Sequence, residues 1–307
     1  MNTVKKQRHI VHVVRQFHPS SGGLENVVDL LTREQVANGE AVTVVTLNKV
    51  FATGEFLPAE DTMGERRVLR IPYAVSQKYP VAPNVLKHVG KADLVHVHAI
   101  DFFYDFLALT RLFHRRPMVA TTHGGFFHTA DLATIKKVWF QTLPRFSSSQ
   151  YKAIIGCSEN DRRQFARIAG RQVICIENGV DIEKFAGAGS VEPRKGLITL
   201  GRFSKNKRVD HLIDTMAGLV KRDPDWTLDI AGVPSDLSGE DVSSMVEARG
   251  LQRHVQIHVG ASDDQLCDLM GKSSILVSAS EFEGFGVTVV EAMSAGLLPV
   301  EHGNAAF

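Results

Sequence analysis

The sequence predicts an α/β protein built from two doubly wound domains. Three observations predict it. Apolar, β-rich runs alternate with helix-length segments along most of the chain, the pattern of parallel strands covered on both faces. The small, Gly-rich, aperiodic stretch from Ala186 to Pro193 interrupts that alternation once and reads as a linker. The alternation then restarts. The expected domains are residues 1–183 and 184–307, with a ligand lodged between them.

In the first domain, strands are expected at His9–Phe17, Ala41–Leu47, Val68–Tyr73, Asp93–Ala99, Met118–Thr122, Ala153–Ser158 and Gln172–Ile176. Each is short and apolar and is bounded by turn residues or a polar segment. Helices are expected at Glu25–Asn38, Phe102–His114, Leu132–Gln150 and Glu159–Ala169, where apolar residues recur at helical spacing. Ser158 is placed as the N-cap of the last of these, with Asp161 at the third helical position. In the second domain, strands are expected at Leu197–Arg202, Thr227–Ala231, Val255–Val259 and Ser274–Ser278. The helices are Arg208–Lys221, Glu240–Arg249, Asp263–Lys272 and Val287–Ala295. Gly296 to Val300 reads as one more buried strand. No helix follows it before Phe307, so the second domain is expected to be incomplete.

The chain has 307 residues, 44% hydrophobic and 22% charged, an ordinary globular composition with room for two cores. No apolar run approaches the roughly 18 to 20 residues of a membrane span. The start, Met1 to Arg8, lacks the apolar region and cleavage site of a signal peptide. Cys157, Cys175 and Cys267 stand far apart with neither metal nor disulfide spacing, as expected of buried thiols in a reducing cytoplasm. Charge is uneven: residues 1–183 carry 23 Lys and Arg against 17 Asp and Glu, and residues 184–307 carry 12 against 17. A basic first half suits an anionic partner such as lipid headgroups or a diphosphate, and equally a merely solvated surface.

The most informative stretch runs from Ser280 to Met293. Glu283 and Glu291 bracket a glycine-rich turn and a helix start, and a strand feeds directly into them. Open α/β sheets bind ligands at the carboxyl ends of their strands. Glu291 sits among Val287, Val289, Val290, Ala292 and Met293, so burial is expected. A buried carboxylate needs hydrogen-bond donors, and sugar or ribose hydroxyls supply them. Gly201 to Arg208 follows the first strand of the second domain and opens a helix. Arg202 and Lys207 beside helix amides make an anion site; a solvated basic turn is the plainer alternative.

His18 to Glu25 follows the first strand. Gly22 and Gly23 permit close backbone approach to a ligand, or simply a tight turn. The segment matches neither the Walker loop nor the dinucleotide fingerprint. His123 ends a strand at a carboxyl edge, a place for orienting a hydroxyl, though a structural histidine is the commoner case. His96 and His98 alternate about a buried strand. With no third ligand visible near them, a metal site is not expected. Aromatics and cations mix at Phe102–Arg116 and at Lys136–Arg145, a composition that suits a membrane surface. Aromatics packed on the sheet with the cations in solvent is the preferred reading. Hydrolase elbow, kinase, zinc and nucleic-acid patterns are absent from the sequence.

Taken together, these residues resemble a retaining glycosyltransferase of the GT-B fold in glycosyltransferase family 4. The resemblance spans nearly the whole chain. Its strongest element is Glu283, seven residues, then Glu291. Support comes from Gly22-Gly23, Thr122-His123-Gly124, Glu177 to Asp181, and Gly201-Arg202-Phe203 with Lys207. It implies that Arg202 and Lys207 bind the donor diphosphate, with Gly23 approaching from the first domain. Glu283 and the amides of Gly284, Phe285 and Gly286 would hold the donor sugar, and Glu291 the ribose. Val259 and Gly260 would lie near the base, and His123 would position sugar and acceptor. Val13 to Ser20 and Ser294 to Leu297 are similar to bacterial exopolysaccharide α-mannosyltransferases. That implies GDP-mannose as donor, a polyprenyl-diphosphate-linked oligosaccharide as acceptor and the cytoplasmic face of the membrane as location, with neither metal nor cofactor. The alternatives are a UDP-sugar donor, an epimerase or phosphorylase on a related fold, or an inactive nucleotide-binding paralogue. Family members continue past Phe307.

Overall fold

The computed structural model describes residues 7–20, 22–77, 79–123, 142–283 and 285–303, with the side chain of Arg171 excepted. The chain divides into two compact units, Met1–Gly179 and Val180–Phe307.

In the first unit, β1 (His9–Val13) leads through α1 (Gly23–Ala37) to β2 (Ala41–Leu47). Then come β3 (Glu60–Met63), β4 (Arg66–Ile71), the short pair β5 (Ala74–Val75) and β6 (Pro80–Val81), α2 (Leu86–Val89) and β7 (Leu94–His98). After these follow α3 (Phe102–Leu109), α4 (Arg111–His114), β8 (Met118–Thr121), α5 (Leu143–Ser148), β9 (Ala153–Gly156), α6 (Glu159–Ala169) and β10 (Val173–Cys175). Eight strands form one sheet in the order β10-β9-β8-β7-β1-β2-β4-β3. All neighbours are parallel except the edge pair β3–β4, which the sequence pattern did not signal. The polar run Glu60-Asp61-Thr62 carries no apolar alternation, and a tight turn at Gly64 sets the antiparallel pairing.

Both faces of this sheet are packed. Val11, Val13, Val45, Val95 and Val97 join Phe103, Leu107 and Phe165 in the larger core. Val14, Phe17, Val44 and Val68 pack with Val28 of α1 in a smaller one. β1 stops at Val13, short of the expected Phe17. Beyond Arg15 the chain is held by the Gln16 side chain, which donates to the carbonyl of Lys49 instead of continuing the ladder. The expected single helix Phe102–His114 is two, broken where Thr110 leaves helical geometry at φ −93° and ψ 12°; its hydroxyl donates back to the Phe106 carbonyl at 2.6 Å. Ser158 caps α6 through the amide of Asp161. The Asp161 carboxylate accepts from Thr122 and from the Cys157 amide, so it anchors the helix start to the end of β8. Residues 132–141 of the expected helix Leu132–Gln150 lie outside the described residues.

The second unit contains β11 (Gly196–Phe203), α7 (Val209–Arg222), β12 (Thr227–Pro234), α8 (Gly239–Glu247), β13 (Val255–Val259), α9 (Asp263–Met270), β14 (Ile275–Ser278), α10 (Val287–Ala295) and β15 (Leu298–Glu301). Its five strands are parallel in the order β13-β12-β11-β14-β15. Leu197, Leu228 and Ile230 face α7 and α8 on one side. Ile198, Ala231 and Leu276 face α9 and α10 on the other. The last strand differs from expectation. β15 is a sheet edge with one face open: Leu298 is 63% exposed and Val300 52%.

In both sheets the chain starts in the middle, builds outward to one side, then crosses to the other. The crossing points lie between β1 and β7 and between β11 and β14. Such topological switch points are where doubly wound sheets open a crevice for ligands.

Candidate functional site

At the switch point of the second unit, two loops are stapled together. The loop after β11 forms a single 3₁₀ turn, Lys205–Lys207, and the loop after β14 carries Glu281 to Gly286. Asn206 joins them. Its side-chain amide donates to the Phe282 carbonyl at 2.8 Å and accepts from the Phe282 amide at 3.1 Å, and the Glu281 amide donates to the Asn206 carbonyl at 3.0 Å. Arg208 reinforces the joint through Glu281 at 2.6 Å and Asp210 at 3.0 Å. Asn206 and Glu281 were not singled out in the sequence, since their roles depend on two strands being neighbours.

Within this joint Lys207 Nζ meets Glu283 Oε1 at 2.5 Å. The cation expected to take a diphosphate and the carboxylate expected to take sugar hydroxyls are thus ion-paired with each other. Gly201 makes room for that lysine. A Cβ there would lie 3.2 Å from Lys207 Cε, and the backbone at Gly201 has φ +146°, which favours glycine. Gly201 pairs with Gly232 of β12, and a Cβ on Gly232 would fall 1.7 Å from the Gly201 carbonyl oxygen. Two adjacent strands therefore need glycine at the same level.

Gly201 and Arg202 lie inside β11, which runs one residue beyond the strand expected at Leu197–Arg202; Arg202 is exposed near the strand end. Gly286 caps α10 with φ +84°, a left-handed conformation, and no side chain caps that helix. The first amides of α10 therefore have no side-chain cap, and a helix N-terminus left so is suited to polar or anionic ligand groups. Gly284 lies outside the described residues.

Glu291 is partly buried on α10. Desolvation pushes its carboxyl above the usual carboxylate range; Lys184 opposes this, while Asp263 and Asp181 add to it. Lys184 is engaged by Asp263 at 2.7 Å and lies over the Phe185 ring. Among the described residues, no side chain or amide donates a hydrogen bond to the Glu291 carboxylate. Glu301, at the end of β15, was missed in the sequence. Both its oxygens are buried without a partner, and burial together with neighbouring Glu283 pushes it up to about 7. Val259 ends β13 at 54% exposure, with Gly260 after it in the left-handed region. Val259 helps line a groove of about 280 Å3 with His258, Gln265, Asp268 and Lys272.

At the switch point of the first unit, Gly22 and Gly23 open α1 as expected, and space around Gly23 is clear. The start of α1 is held by Asp29, which pairs with Arg66 at 2.6 Å, with Arg33, and with His18 at 3.5 Å. His123 follows β8 with φ +53°, and its Nε2 lies 3.0 Å from His98 Nδ1. The expectation that His96 and His98 lack a third ligand nearby is overturned. His12 of β1, register partner of His96, brings a third ring nitrogen, and the three lie within 4.8 Å of one another. Parallel pairing decides this, and spacing along the chain carries no trace of it.

Comparison with known proteins agrees with this architecture. Residues 21–184 match Glycosyltransferase Family 4, and residues 181–302 match Glycosyl transferases group 1. A GDP-mannose:cellobiosyl-diphosphopolyprenol alpha-mannosyltransferase of Xanthomonas campestris is 46% identical over 294 residues, covering 95% of this chain and 77% of that protein. A protein of the same name from Komagataeibacter xylinus is 42% identical, over 95% of this chain and 74% of its own length. Among solved structures, sucrose-phosphate synthase from Thermosynechococcus elongatus superposes with a TM-score of 0.74 at 17% identity, covering 97% of this chain and 82% of that one. Anabaena HepE in complex with UDP and glucose gives the same TM-score and identity over 98% and 82%. The fold is therefore GT-B, two Rossmann-like units, and the protein is a glycosyltransferase. The chain belongs to glycosyltransferase family 4.

Proposed function

We propose that this chain transfers mannose from GDP-mannose, with retention, to a polyprenyl-diphosphate-linked oligosaccharide. The observation that carries the reading is the 42–46% identity, over 95% of the chain, to enzymes named for that donor and a lipid-linked cellobiosyl acceptor. The stapled loops at the β11–β14 switch point support it. Arg202 and Lys207 take the diphosphate and stabilise the charge that grows on it as the glycosidic bond breaks. Glu283, with the amides at the start of α10, holds sugar hydroxyls, and Glu291 the ribose. Glu291 suits that role because it is partly desolvated and lacks a donor among the described residues. Val259 and Gly260 flank the base, Gly23 approaches the diphosphate, and His123 orients the sugar. The acceptor oxygen attacks from the face the diphosphate leaves, and a phosphate oxygen takes its proton. Cations and helix amides do this work without metal or cofactor.

The test is a donor panel with purified lipid-linked acceptor, read by product analysis. A mannosyl product from GDP-mannose with an α linkage is expected. Transfer from UDP-sugars alone would remove the mannosyl assignment, and an epimerised free sugar would remove transfer altogether.

We further propose that the first unit touches the membrane surface peripherally, through α3–α4 and α5. Leu112 and Phe113 are 82% and 83% exposed, and Leu109 and Phe146 are also exposed. Arg111, Arg115 and Arg145 lie among them in the sequence, an apolar and cationic mixture suited to anionic lipid. Phe102, Phe103 and Tyr104 do pack inward, so the reading of aromatics on the sheet fits the first turn of α3 and fails at α4. Among the described residues no helix is long and apolar enough to cross a membrane. Binding to anionic vesicles should fall at least several-fold in a Leu112→Ser, Phe113→Ser variant. Unchanged co-sedimentation would exclude this surface.

A further inference from the structure

Three buried histidines, His12, His96 and His98, form a cluster with the half-buried His123 and Gln35 at the switch point of the first unit. His12, His96 and His98 share the sheet face covered by α1, and His12 Nε2 meets Gln35 Oε1 of α1 at 2.7 Å. His12 Nδ1 lies 2.9 Å from His98 Nε2, and His98 Nδ1 lies 3.0 Å from His123 Nε2. His96 is set aside by its own contact, Nε2 to Thr121 Oγ1 at 2.8 Å.

The protons in this chain are not independent. An amide oxygen only accepts, so His12 Nε2 carries the hydrogen. A neutral imidazole has one N–H, so His12 Nδ1 is an acceptor and His98 Nε2 must donate to it. His98 Nδ1 is then an acceptor, and His123 Nε2 must donate in turn. One nitrogen remains, His123 Nδ1, with a lone pair. The rule needs every ring neutral. Burial supplies that, pushing His12 and His123 down to about 4 and His96 and His98 well below their ordinary value, with the neighbouring histidines adding to the effect at His96 and His98.

We propose that Gln35, His12 and His98 are positioning residues that lock His123 in one tautomer and present its Nδ1 as a hydrogen-bond acceptor at the C-terminal edge of the first sheet. A substrate hydroxyl facing that nitrogen must donate its proton, so the chain selects a hydroxyl in donor orientation and keeps the ring from offering a competing N–H. This meaning rests on His123 as a sugar-positioning residue; the chain itself does not. A metal centre is the competing use of these rings. Metal ligands aim their lone pairs at one point, whereas His96 and His98 stack with centroids 4.2 Å apart at 29°. The nitrogens of His12 and His98 already face hydrogen-bond partners on both sides.

The experiment is long-range 1H–15N correlation on ligand-free protein carrying 15N-labelled histidine, near neutral pH. The expected spectrum shows His123 protonated on Nε2 and bare on Nδ1. Gln35→Leu removes the terminal acceptor and should populate both tautomers. Gln35→Glu keeps an acceptor and should restore one. A parent spectrum with His123 protonated on Nδ1 overturns the proposal, even if the Leu variant fails to fold. So does a single tautomer that survives Gln35→Leu. Turnover of GDP-mannose should fall about three- to tenfold in Gln35→Leu, the cost of one weakened hydrogen bond, and recover in Gln35→Glu. If the tautomer shifts and turnover does not, the chain stands and the role of His123 toward sugar falls.

Discussion

Lys207 and Glu283 illustrate what a single pair of side chains contributes. Each neutralises the other at 2.5 Å, with roughly a fifth of either side chain exposed, so neither stands as an uncompensated charge. On the proposed function a diphosphate would compete for the lysine, which has three donors, while a sugar hydroxyl would use the second oxygen of the glutamate. Under the proposed function, Lys207→Ala removes a cation from the donor diphosphate and leaves Glu283 without its partner. Mannosyl transfer should fall about 10²- to 10³-fold in kcat/KM. A parental rate in that variant would show that the diphosphate is held elsewhere. Both residues were legible in the sequence as donor-site candidates. Their mutual pairing was not, because it depends on β11 and β14 lying side by side.

At the scale of elements, the strand ends β11 and β12 are governed by close approach. Gly201 and Gly232 face each other in register, and the Gly201 carbonyl occupies the place a Gly232 side chain would need. Backbone cannot move aside as a flexible side chain can. Gly232→Ala should therefore destabilise the second unit by about 1 to 3 kcal/mol and displace the Lys205–Lys207 turn. Its urea midpoint and donor affinity should both fall, and an unchanged midpoint would mean the strand pair tolerates the methyl group. The sequence signalled the glycine before Arg202 through its motif. It gave no reason to single out Gly232, since the partner strand is set by topology.

For the whole molecule, the buried histidines set the response to acid. Four rings whose ordinary value is near 6.5 are held neutral in the fold, two of them with values of about 4. Above pH 6.5 folded and unfolded chains are alike in this respect. As pH falls from 6.5 towards 4, the unfolded chain binds protons that the folded chain refuses. Each ring then costs about 1.4 kcal/mol per pH unit. Asp101, pushed up to about 6 by burial, takes its proton earlier in the folded state and offsets part of one ring; Asp105 is shifted the same way. Four outweigh two, so the urea midpoint of the first unit should drop between pH 7 and pH 5. A midpoint that rises over that interval would mean the rings are charged and paired.

The sequence by itself determined the alternation of strands and helices, the restart after Pro193, and the Glu283–Glu291 spacing at a strand's carboxyl end. Those are local: hydrophobic period, glycine at turns, and chemistry confined to one loop. Only the tertiary structure decided which strands are neighbours. That choice stapled Asn206 to Phe282, set Glu301 beside Glu283, opened one face of β15, and carried His12 to His98 across 86 residues. The physical reason is that parallel pairing is completed through crossovers, so groups that share a site are separated in the chain by whole helices and leave no spacing to read.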